Sequence, residues 1–318
     1  MLDLFKKSIR KDARVSVCLD DHAISVVRVR CDRDVPPFLE CCDVQQIDNV
    51  SLQDAELARL INIHHLDNYE CVSTLELGNY NLLLVEAPDV QPEELRAAIR
   101  WRVKDLIDFH IDDAVVDVFE VPNQKTAGKN RMMYAVVARA DVVKHKIQQL
   151  TEAGLHLDVI DIPELALRNI SSLLPEDVGG VALVYIGESS GLITITRQSI
   201  LYFSRRIEIG LRELPDTIMS SDNNLVKSWL DNIIIEIQRS LDYYESHFSQ
   251  PQVSAIVISP MSKEVPGVLD YISSQVDIPV RALNVNELID VTEPVSANMQ
   301  SQCMLAIGAA LRQETVAL

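Results

Sequence analysis

A β-hairpin pattern that occurs twice constrains the fold of this chain more than any other feature of its sequence. In the later copy, within residues 181–210, an unbroken apolar run is followed by a turn of small residues at 187–191 and by two short returning strands. The earlier copy has a strand at 14–19, a turn at 20–23 and a returning strand at 24–30. Backbone N–H groups converge in such turns and can bind an anion. The repeat predicts two lobes with a cleft between them.

Composition and charge exclude several classes of protein. The 318 residues are 47% hydrophobic and 24% charged, which is typical of a globular chain that buries a large core. A net charge of −18 argues against non-specific binding to nucleic acid. No apolar run approaches the ~20 residues of a membrane-spanning helix, and no signal peptide precedes the first strand.

The six cysteines show no metal-binding or CxxC spacing, so we expect reduced thiols in the cytoplasm and no metal site. Basic residues dominate positions 1–13, which we predict to be a flexible tail. The alternative for this tail is a weak amphipathic anchor on an acidic membrane, because its apolar residues could face lipid.

Between the two hairpins, the pattern changes at residue 87. Strands are predicted at 72–77 and 81–86, about a turn at 78–80. A helix beginning at Pro92, strands at 114–121 and 132–138, and a helix at 140–153 then follow. This αββα order predicts a small subdomain, residues 87–155, inserted into the first lobe.

Four segments resemble one family. LDVIDIPELALRN at 157–169, EIQRSLDYYES at 236–246 and LAIGAALR at 305–312 resemble the PilM-type pilus-assembly proteins of the actin-like ATPase superfamily, which are similar to the cell-division protein FtsA. The stretch ELRAAIRWRVKDLIDFHIDDAVVDVFEVP at 94–122 looks more specifically like the MshI proteins of the mannose-sensitive haemagglutinin (MSHA) pilus.

The resemblance implies an α/β, actin-like (ribonuclease H-like) fold of two lobes with the αββα insertion in the first. The first lobe would comprise residues 14–86 and 156–178, and the second lobe residues 179–298. Residues 299–318 would form a C-terminal helix that returns to the lobe junction.

Actin-like ATPases bind nucleotide with two phosphate hairpins and a Gly-Gly adenosine loop, and aspartates of the hairpins organise the magnesium shell. In the first hairpin, Cys18 stands at the aspartate position, and Asp20 stands at the glycine position, followed by Asp21. In the second hairpin, Tyr185 stands at the aspartate position. The residues that match the pattern are Gly187, Ser189, Ser190 and, after the adenosine loop, Gly267.

These departures predict a vestigial nucleotide cleft. A carboxylate at Asp20 would repel phosphate by roughly a kcal/mol or more. Cys18 and Tyr185 are poor ligands for Mg²⁺, which prefers carboxylate and water oxygens. We therefore expect no catalysis and no cofactor, with Mg-ATP as the candidate that remains.

Two other patterns have alternative interpretations. Residues 187–191, GESSG, match the serine-hydrolase pattern G-x-S-x-G, which requires a helix after the serine, whereas the sequence predicts a strand there. Arg96, Arg100 and Trp101 lie on the first helix of the insertion, either on a solvated face or on a docking surface for a partner segment.

By resemblance, the chain would be a cytoplasmic scaffold at the inner-membrane face, in the platform that assembles a type IV pilus. Its partner would be a PilN-like bitopic inner-membrane protein, whose short N-terminal segment lies in a groove between the first lobe and the insertion. The membrane would be reached through that partner, and a homo-oligomer is compatible with the sequence. The alternatives are an ATP-binding conformational switch of the same platform and a type II secretion assembly component.

Overall fold

The computed structural model describes residues 9–20, 22–31, 35–121, 131–215 and 224–313. The strands of these residues are β1 (Arg10–Leu19), β2 (Ala23–Arg30), β3 (Phe38–Gln46), β4 (Tyr69–Thr74), β5 (Tyr80–Glu86), β6 (Ala114–Glu120), β7 (Met132–Arg139), β8 (His156–Asp161), β9 (Val181–Ile186), β10 (Gly191–Arg197), β11 (Ile200–Ile207), β12 (Ala255–Ile258), β13 (Val280–Ala282) and β14 (Asp290–Val291). The helices are α1 (Gln53–His64), α2 (Pro92–Val103), α3 (Ala140–Glu152), α4 (Pro163–Ser171), α5 (Asn224–Phe248), α6 (Val268–Ser273) and α7 (Ala297–Ala310).

Two large sheets repeat one topology. The first has the order β14-β3-β2-β1-β4-β8, and the second has the order β11-β10-β9-β12-β13. In each sheet the first three strands along the chain form an antiparallel meander, and the next two pair parallel beside the first strand. The predicted repeat of the hairpin is confirmed, and each hairpin opens one lobe.

The two lobes share a continuous apolar core. Helices α4 and α7 pack against each other, and the core around them joins Val27 of the first sheet to Leu183 of the second. The helices approach closely because residue 308 is glycine: a Cβ atom there would lie 2.2 Å from the carbonyl oxygen of Ala166. Such tight packing fixes the spacing between the lobes.

The end of the chain belongs to the first lobe. β14 pairs parallel with β3, and α7 packs against the four strands β1 to β4. The predicted second lobe at 179–298 therefore extends too far, because the chain has already returned to the first sheet at Asp290. Aspartate and valine in so short a strand carry no strand signal of their own.

The insertion contains one more strand than predicted. Its sheet has the order β5-β7-β6, so the subdomain begins before residue 87 and has the order βαββα. The prediction that β5 returns along β4 in the first lobe is wrong. β5 is apolar on both faces, and in the subdomain both faces are covered: Val85 packs with Ile99 and Val103 of α2, and Leu82 and Leu84 pack against the second lobe.

The predicted tail also needs correction. Residues 10–13 belong to β1, with an irregularity in the pairing to β4 between Arg10 and Arg14. Residues 1–8 lie outside the described part of the chain.

Candidate functional site

The turn of the first hairpin is closed by its own aspartate. Asp20 Oδ1 accepts hydrogen bonds from the backbone N–H groups of His22 (2.7 Å) and Ala23 (2.8 Å). The backbone N–H of Asp20 donates to the carbonyl of Ala23 at 3.0 Å. Amides that could bind phosphate in such a turn therefore already hold a carboxylate. Asp21 lies outside the described residues.

Cys18 lies near the end of β1, on the side of the cleft. Its Sγ is 3.1 Å from Thr74 Oγ1 of β4. Burial raises the pKa of the Cys18 thiol, so this side chain is neutral. A neutral thiol does not replace the carboxylate that holds a magnesium shell.

Tyr185 of β9 faces the first hairpin from the opposite lobe. Burial raises the pKa of its phenol, and the nearby charges of Asp20 and Glu188 raise the pKa further. The phenol therefore remains protonated at neutral pH. The two hairpins do meet across one cleft, as the repeat predicts, but they bring a thiol, a carboxylate and a phenol together.

The backbone of the second turn, residues 187–191, also forms hydrogen bonds within the protein. The N–H of Gly187 donates to Ser190 O at 3.0 Å, and Gly187 O accepts from Leu211 N–H at 3.0 Å. Gly210 lies directly against the turn, because a Cβ atom there would be 2.4 Å from Glu188 O. Ser189 is exposed, Ser190 is buried, and Gly267 lies apart at the start of α6 with φ of 73°.

A buried lysine that the sequence did not reveal completes the cleft. Lys146 of α3 is 6% exposed, and its Nζ is 3.9 Å from Glu76 Oε1. Burial lowers the pKa of this ammonium, whereas Glu76, Cys18 and Asp20 act to raise it. The cation therefore lies beside the first hairpin, on the cleft side of the insertion. On a helix such a lysine normally indicates a solvated face, so no sequence pattern singles it out.

These residues do not fit Mg-ATP. In the first turn the amides of His22 and Ala23 are bound to Asp20, and in the second turn the Gly187 amide is bound to Ser190 O. No carboxylate stands at position 18 or 185, and Lys146 provides a positive charge from within the chain. Among the described residues, no group of three or more His, Cys, Asp or Glu side chains could hold a metal ion. The serine-hydrolase pattern also lacks its context, because strand β10 follows Ser189 where that motif requires a helix.

A second concave site lies between the first lobe and the insertion. It is a groove of about 840 Å³, bordered by β8, by residues 117–120 of β6 and by residues 199–201 at the start of β11. β8 is the edge strand of the first sheet, and β6 is the edge strand of the subdomain sheet. Two strand edges therefore face one cavity, as the prediction of a partner groove requires.

The backbone of both edges offers hydrogen-bonding groups to the groove. Leu75 N–H donates to Asp161 O at 2.9 Å, so the backbone of residue 161 points toward β4 and that of Ile160 points away from it, into the groove. On β6, Val118 N–H donates to its neighbour Asp117 Oδ1 at 3.0 Å, which shows that this amide points away from β7. An added strand would pair with the outward groups of β8, whereas the Val118 N–H on β6 already has Asp117 Oδ1 as its acceptor.

One end of the groove carries two arginines and a buried aspartate, and the other carries a lysine and a glutamate. At the end of β8, Arg312 Nη1 donates to the buried Asp161 Oδ2 at 2.7 Å, and Arg168 lies nearby. Burial raises the pKa of Asp161 although both arginines lower it. At the start of β8 the lining includes Lys11 and Glu70, whose charged atoms are 3.1 Å apart.

The three residues predicted on α2 do not form one surface with this groove. Arg100 donates to the carbonyl oxygens of Ala114 (2.8 Å) and Ile111 (2.5 Å), which anchors the start of β6. Arg96 reaches the groove through its ion pair with Asp117 at 3.1 Å. Trp101 is 74% exposed and has Lys104 Nζ 5.7 Å from its ring centre, away from the groove lining.

A buried junction joins the insertion to both lobes. Tyr80 at the start of β5 donates a short hydrogen bond to Glu164 of α4. Arg206 of β11 lies beside them and contacts Gly78 before β5. Burial raises the pKa of Glu164 to about 7, against the opposing effect of Tyr80 and Arg206.

This chain is similar to one protein family in part of its sequence and to solved structures in its fold. Residues 84–223 match the family described as type IV pilus assembly protein PilM. A solved PilM–PilN type IV pilus biogenesis complex is 17% identical, with a TM-score of 0.77 over 94% of this chain and 97% of that chain. No curated protein matches the sequence at a significant level.

Two further structures are more distant. A Bacteroides thetaiotaomicron protein with an actin-like ATPase fold and unknown function is 11% identical, with a TM-score of 0.49 over 95% of this chain and 98% of that chain. The cytoplasmic domain of EpsL, an inner-membrane component of the Vibrio cholerae type II secretion system, is 11% identical, with a TM-score of 0.47 over 93% and 94% of the two chains. The fold of this chain is the actin-like fold, and its described helices include none long and apolar enough to span a membrane.

Proposed function

We propose that this protein is a non-catalytic scaffold of a type IV pilus assembly platform, of the MSHA type, at the cytoplasmic face of the inner membrane. It binds the short cytoplasmic segment of a PilN-like bitopic membrane protein. The groove between β8 and β6 carries this proposal, because two strand edges with outward-pointing backbone groups border one cavity. The match of residues 84–223 to PilM and the fold shared with the PilM–PilN complex support the choice of partner.

The partner segment binds in an extended conformation along β8. Backbone hydrogen bonds to Ile160 and its neighbours supply affinity, and the side chains that alternate toward Phe119, Val159 and Ile200 supply selectivity. A six-residue strand such as β8 is about 20 Å long, which matches a segment of about six residues. We expect a dissociation constant in the micromolar range, about −8 kcal/mol.

The same protein does not hydrolyse ATP. Asp20 occupies its own turn amides, and Lys146 places its ammonium beside the carboxylates that remain in the cleft. A scaffold needs a fixed surface rather than a cycle of opening and closure, and the shared core around Gly308 supports a fixed arrangement of lobes.

The test uses a synthetic peptide of the cytoplasmic N-terminal segment of the PilN-like protein, titrated calorimetrically into the intact chain. Ile160→Pro removes the outward N–H of β8 and leaves the contacts of residues 159 and 161 with β4, since proline is tolerated on an edge strand. We expect this variant to bind at least tenfold more weakly than the wild type.

Glu293→Lys, on an exposed loop outside the groove lining, is the control for folding and handling. Equal affinity of the wild type and Ile160→Pro would place the partner elsewhere and refute the groove assignment. Tight calorimetric binding of Mg-ATP to the wild type would instead favour a nucleotide-dependent switch of the same platform.

A further inference from the structure

One buried hydrogen bond joins the two walls of the groove. The first wall, β8, is followed at once by α4, whose Leu165 contributes to the groove lining. The second wall, β6, belongs to the sheet of the insertion, in which β5 and β6 both pair with β7. Tyr80 at the start of β5 donates its hydroxyl to Glu164, the neighbour of Leu165 in α4. This bond therefore connects the sheet of one wall to the helix that continues the other.

The second lobe also reaches this bond. The guanidinium of Arg206 in β11 lies against the turn that precedes β5, since a Cβ atom at Gly78 would be 2.7 Å from Arg206 Nη1. Its positive charge acts on Glu164 and lowers the pKa of that carboxyl group. Glu164 itself is 4% exposed, so these contacts leave it almost no access to water. The first lobe, the insertion and the second lobe thus meet at one carboxyl group.

Burial is the strongest influence on this carboxyl group. It raises the pKa of Glu164 to about 7, and the charge of Asp161 acts in the same direction. The hydrogen bond from Tyr80 and the charge of Arg206 oppose this effect without cancelling it. Burial also raises the pKa of the Tyr80 phenol, so the phenol remains a donor at neutral pH. The titratable and charged side chains that face this cluster include Tyr80 of β5, Tyr134 of β7, Asp161 of β8, Arg206 of β11 and Arg312, which follows α7 and is bonded to Asp161.

We propose that the Tyr80–Glu164 hydrogen bond is a latch between the walls of the groove, which loosens when Glu164 releases its proton and tightens when a partner segment binds. The tightening rests on the proposed function of the groove, whereas the response to pH does not. When the latch is open, water reaches the carboxyl group, which then has its ordinary pKa of 4.5. Loss of the proton therefore favours the open latch.

The two pKa values set the size of the response. The closed latch retains its proton up to about pH 7, whereas the open latch releases it near pH 4.5. The ratio of open to closed molecules is therefore lowest below pH 4.5 and rises until the pH passes 7. Between pH 6 and pH 8 this ratio should increase about tenfold, and at higher pH it should change little because both forms are ionised.

The first experiment follows the latch through a thiol placed beside it. Leu82 packs against the second lobe from the same face of β5 as Tyr80, and Leu82→Cys should react with iodoacetamide when the latch opens. Peptide mass spectrometry reads each cysteine separately, so the exposed Cys31 reports how pH alone changes the reactivity of a thiol. We expect the labelling rate of residue 82 relative to Cys31 to rise about tenfold from pH 6 to pH 8.

Three further variants separate the proton from the contact. Glu164→Gln, added to Leu82→Cys, keeps an acceptor for Tyr80 but does not titrate, so the relative rate should stay within about twofold over the same range. Glu245→Gln makes this change on the exposed face of α5 and should leave the rise intact. Tyr80→Phe removes the hydrogen bond and should speed labelling at pH 6 about fivefold.

Far-ultraviolet circular dichroism checks that each of these proteins is folded. An equal rise with and without the Glu164 carboxyl group would overturn the latch, because another group would then control the opening. Unchanged labelling at pH 6 in Tyr80→Phe would overturn it as well, because the hydrogen bond would then not hold the walls together.

Partner binding separates this inference from the proposed function. A PilN-like peptide at about ten times its dissociation constant should slow labelling of residue 82 at pH 8 about tenfold, because it binds only molecules whose walls are joined. Ile160→Pro, which should bind the peptide weakly, should keep its labelling rate.

The possible failures are distinct. If labelling follows pH as expected but the peptide does not bind, the response of the latch to pH stands and the proposed function fails. If the peptide binds in calorimetry but labelling does not depend on Glu164, the latch fails and the proposed function stands. If the peptide binds and labelling keeps its rate, the coupling between the latch and the groove is overturned.

Discussion

Replacing Glu164 by glutamine should change how the stability of this protein depends on pH. Glu164 is 4% exposed, and burial raises the pKa of its carboxyl group from 4.5 to about 7. Between these two values the folded chain retains a proton that the unfolded chain has released. The free energy of unfolding contributed by this group is therefore highest below pH 4.5 and is lost as the pH rises through 7.

The size of the effect follows from the two pKa values. One pKa unit corresponds to about 1.36 kcal/mol, so the wild type should lose about 2.5 kcal/mol of stability between pH 5 and pH 8 through this carboxyl group alone. Glutamine keeps an oxygen that accepts from Tyr80 but does not titrate. The stability of Glu164→Gln relative to the wild type should therefore rise by about 2.5 kcal/mol over that range.

Urea unfolding at pH 5, 6, 7 and 8 measures this difference. Asp161, whose pKa burial also raises, is present in both proteins, and its charge contributes to the raised pKa of Glu164. Glu245→Gln makes the same chemical change on the exposed face of α5 and serves as the control. A difference between Glu164→Gln and the wild type that stays constant from pH 5 to pH 8 would refute the reasoning, because it would show that this carboxyl group titrates alike in both states.

Three further predictions concern the cleft and the lobe junction. Saturating Mg-ATP should leave the thermal midpoint of the wild type unchanged, whereas a bound ligand at 100 times its dissociation constant would raise the free energy of unfolding by about 2.7 kcal/mol. A clear upward shift of the midpoint would contradict the vestigial cleft. Lys146→Met should leave the free energy of unfolding in urea unchanged or raise it by about 1–2 kcal/mol, because the 3.9 Å contact with Glu76 recovers little of the cost of burying the ammonium. A large loss of stability would show that this contact outweighs the cost of burial. Gly308→Ala should lower stability by about 1–3 kcal/mol, because the Cβ of the alanine would overlap Ala166 O. Wild-type stability in this variant would show that α4 and α7 can separate without cost.

The repeat of the hairpin was predictable because it rests on local patterns. An apolar run, a turn of small residues and an alternating strand occur in both copies, and the sheet that each builds follows from the pairing of consecutive strands. Helix α5 was predictable for the same reason, since its buried residues recur every three or four positions from Val226 to Tyr244.

Elements whose neighbours come from distant parts of the chain were not predictable. The run LLLV in β5 is apolar on both faces, and the sequence does not say which sheet covers it. The start of α1 shows the same limit at smaller scale. Asn49 accepts hydrogen bonds from the N–H and the hydroxyl of Ser51, and a short 3₁₀ turn precedes α1. Lys146 resembles a surface residue until the packing of α3 on the first lobe is known.

The insertion contributes both to the cleft between the hairpins and to the groove. Its helix α3 carries Lys146 into the cleft and Leu150 into the core of the first lobe, and its strand β6 forms one wall of the groove. Its sheet also packs on the second lobe, where Tyr134 donates to Tyr202 O at 2.9 Å. A subdomain held on both lobes keeps β6 and β8 at a constant separation. The contacts of the insertion in the cleft therefore also hold the walls of the groove.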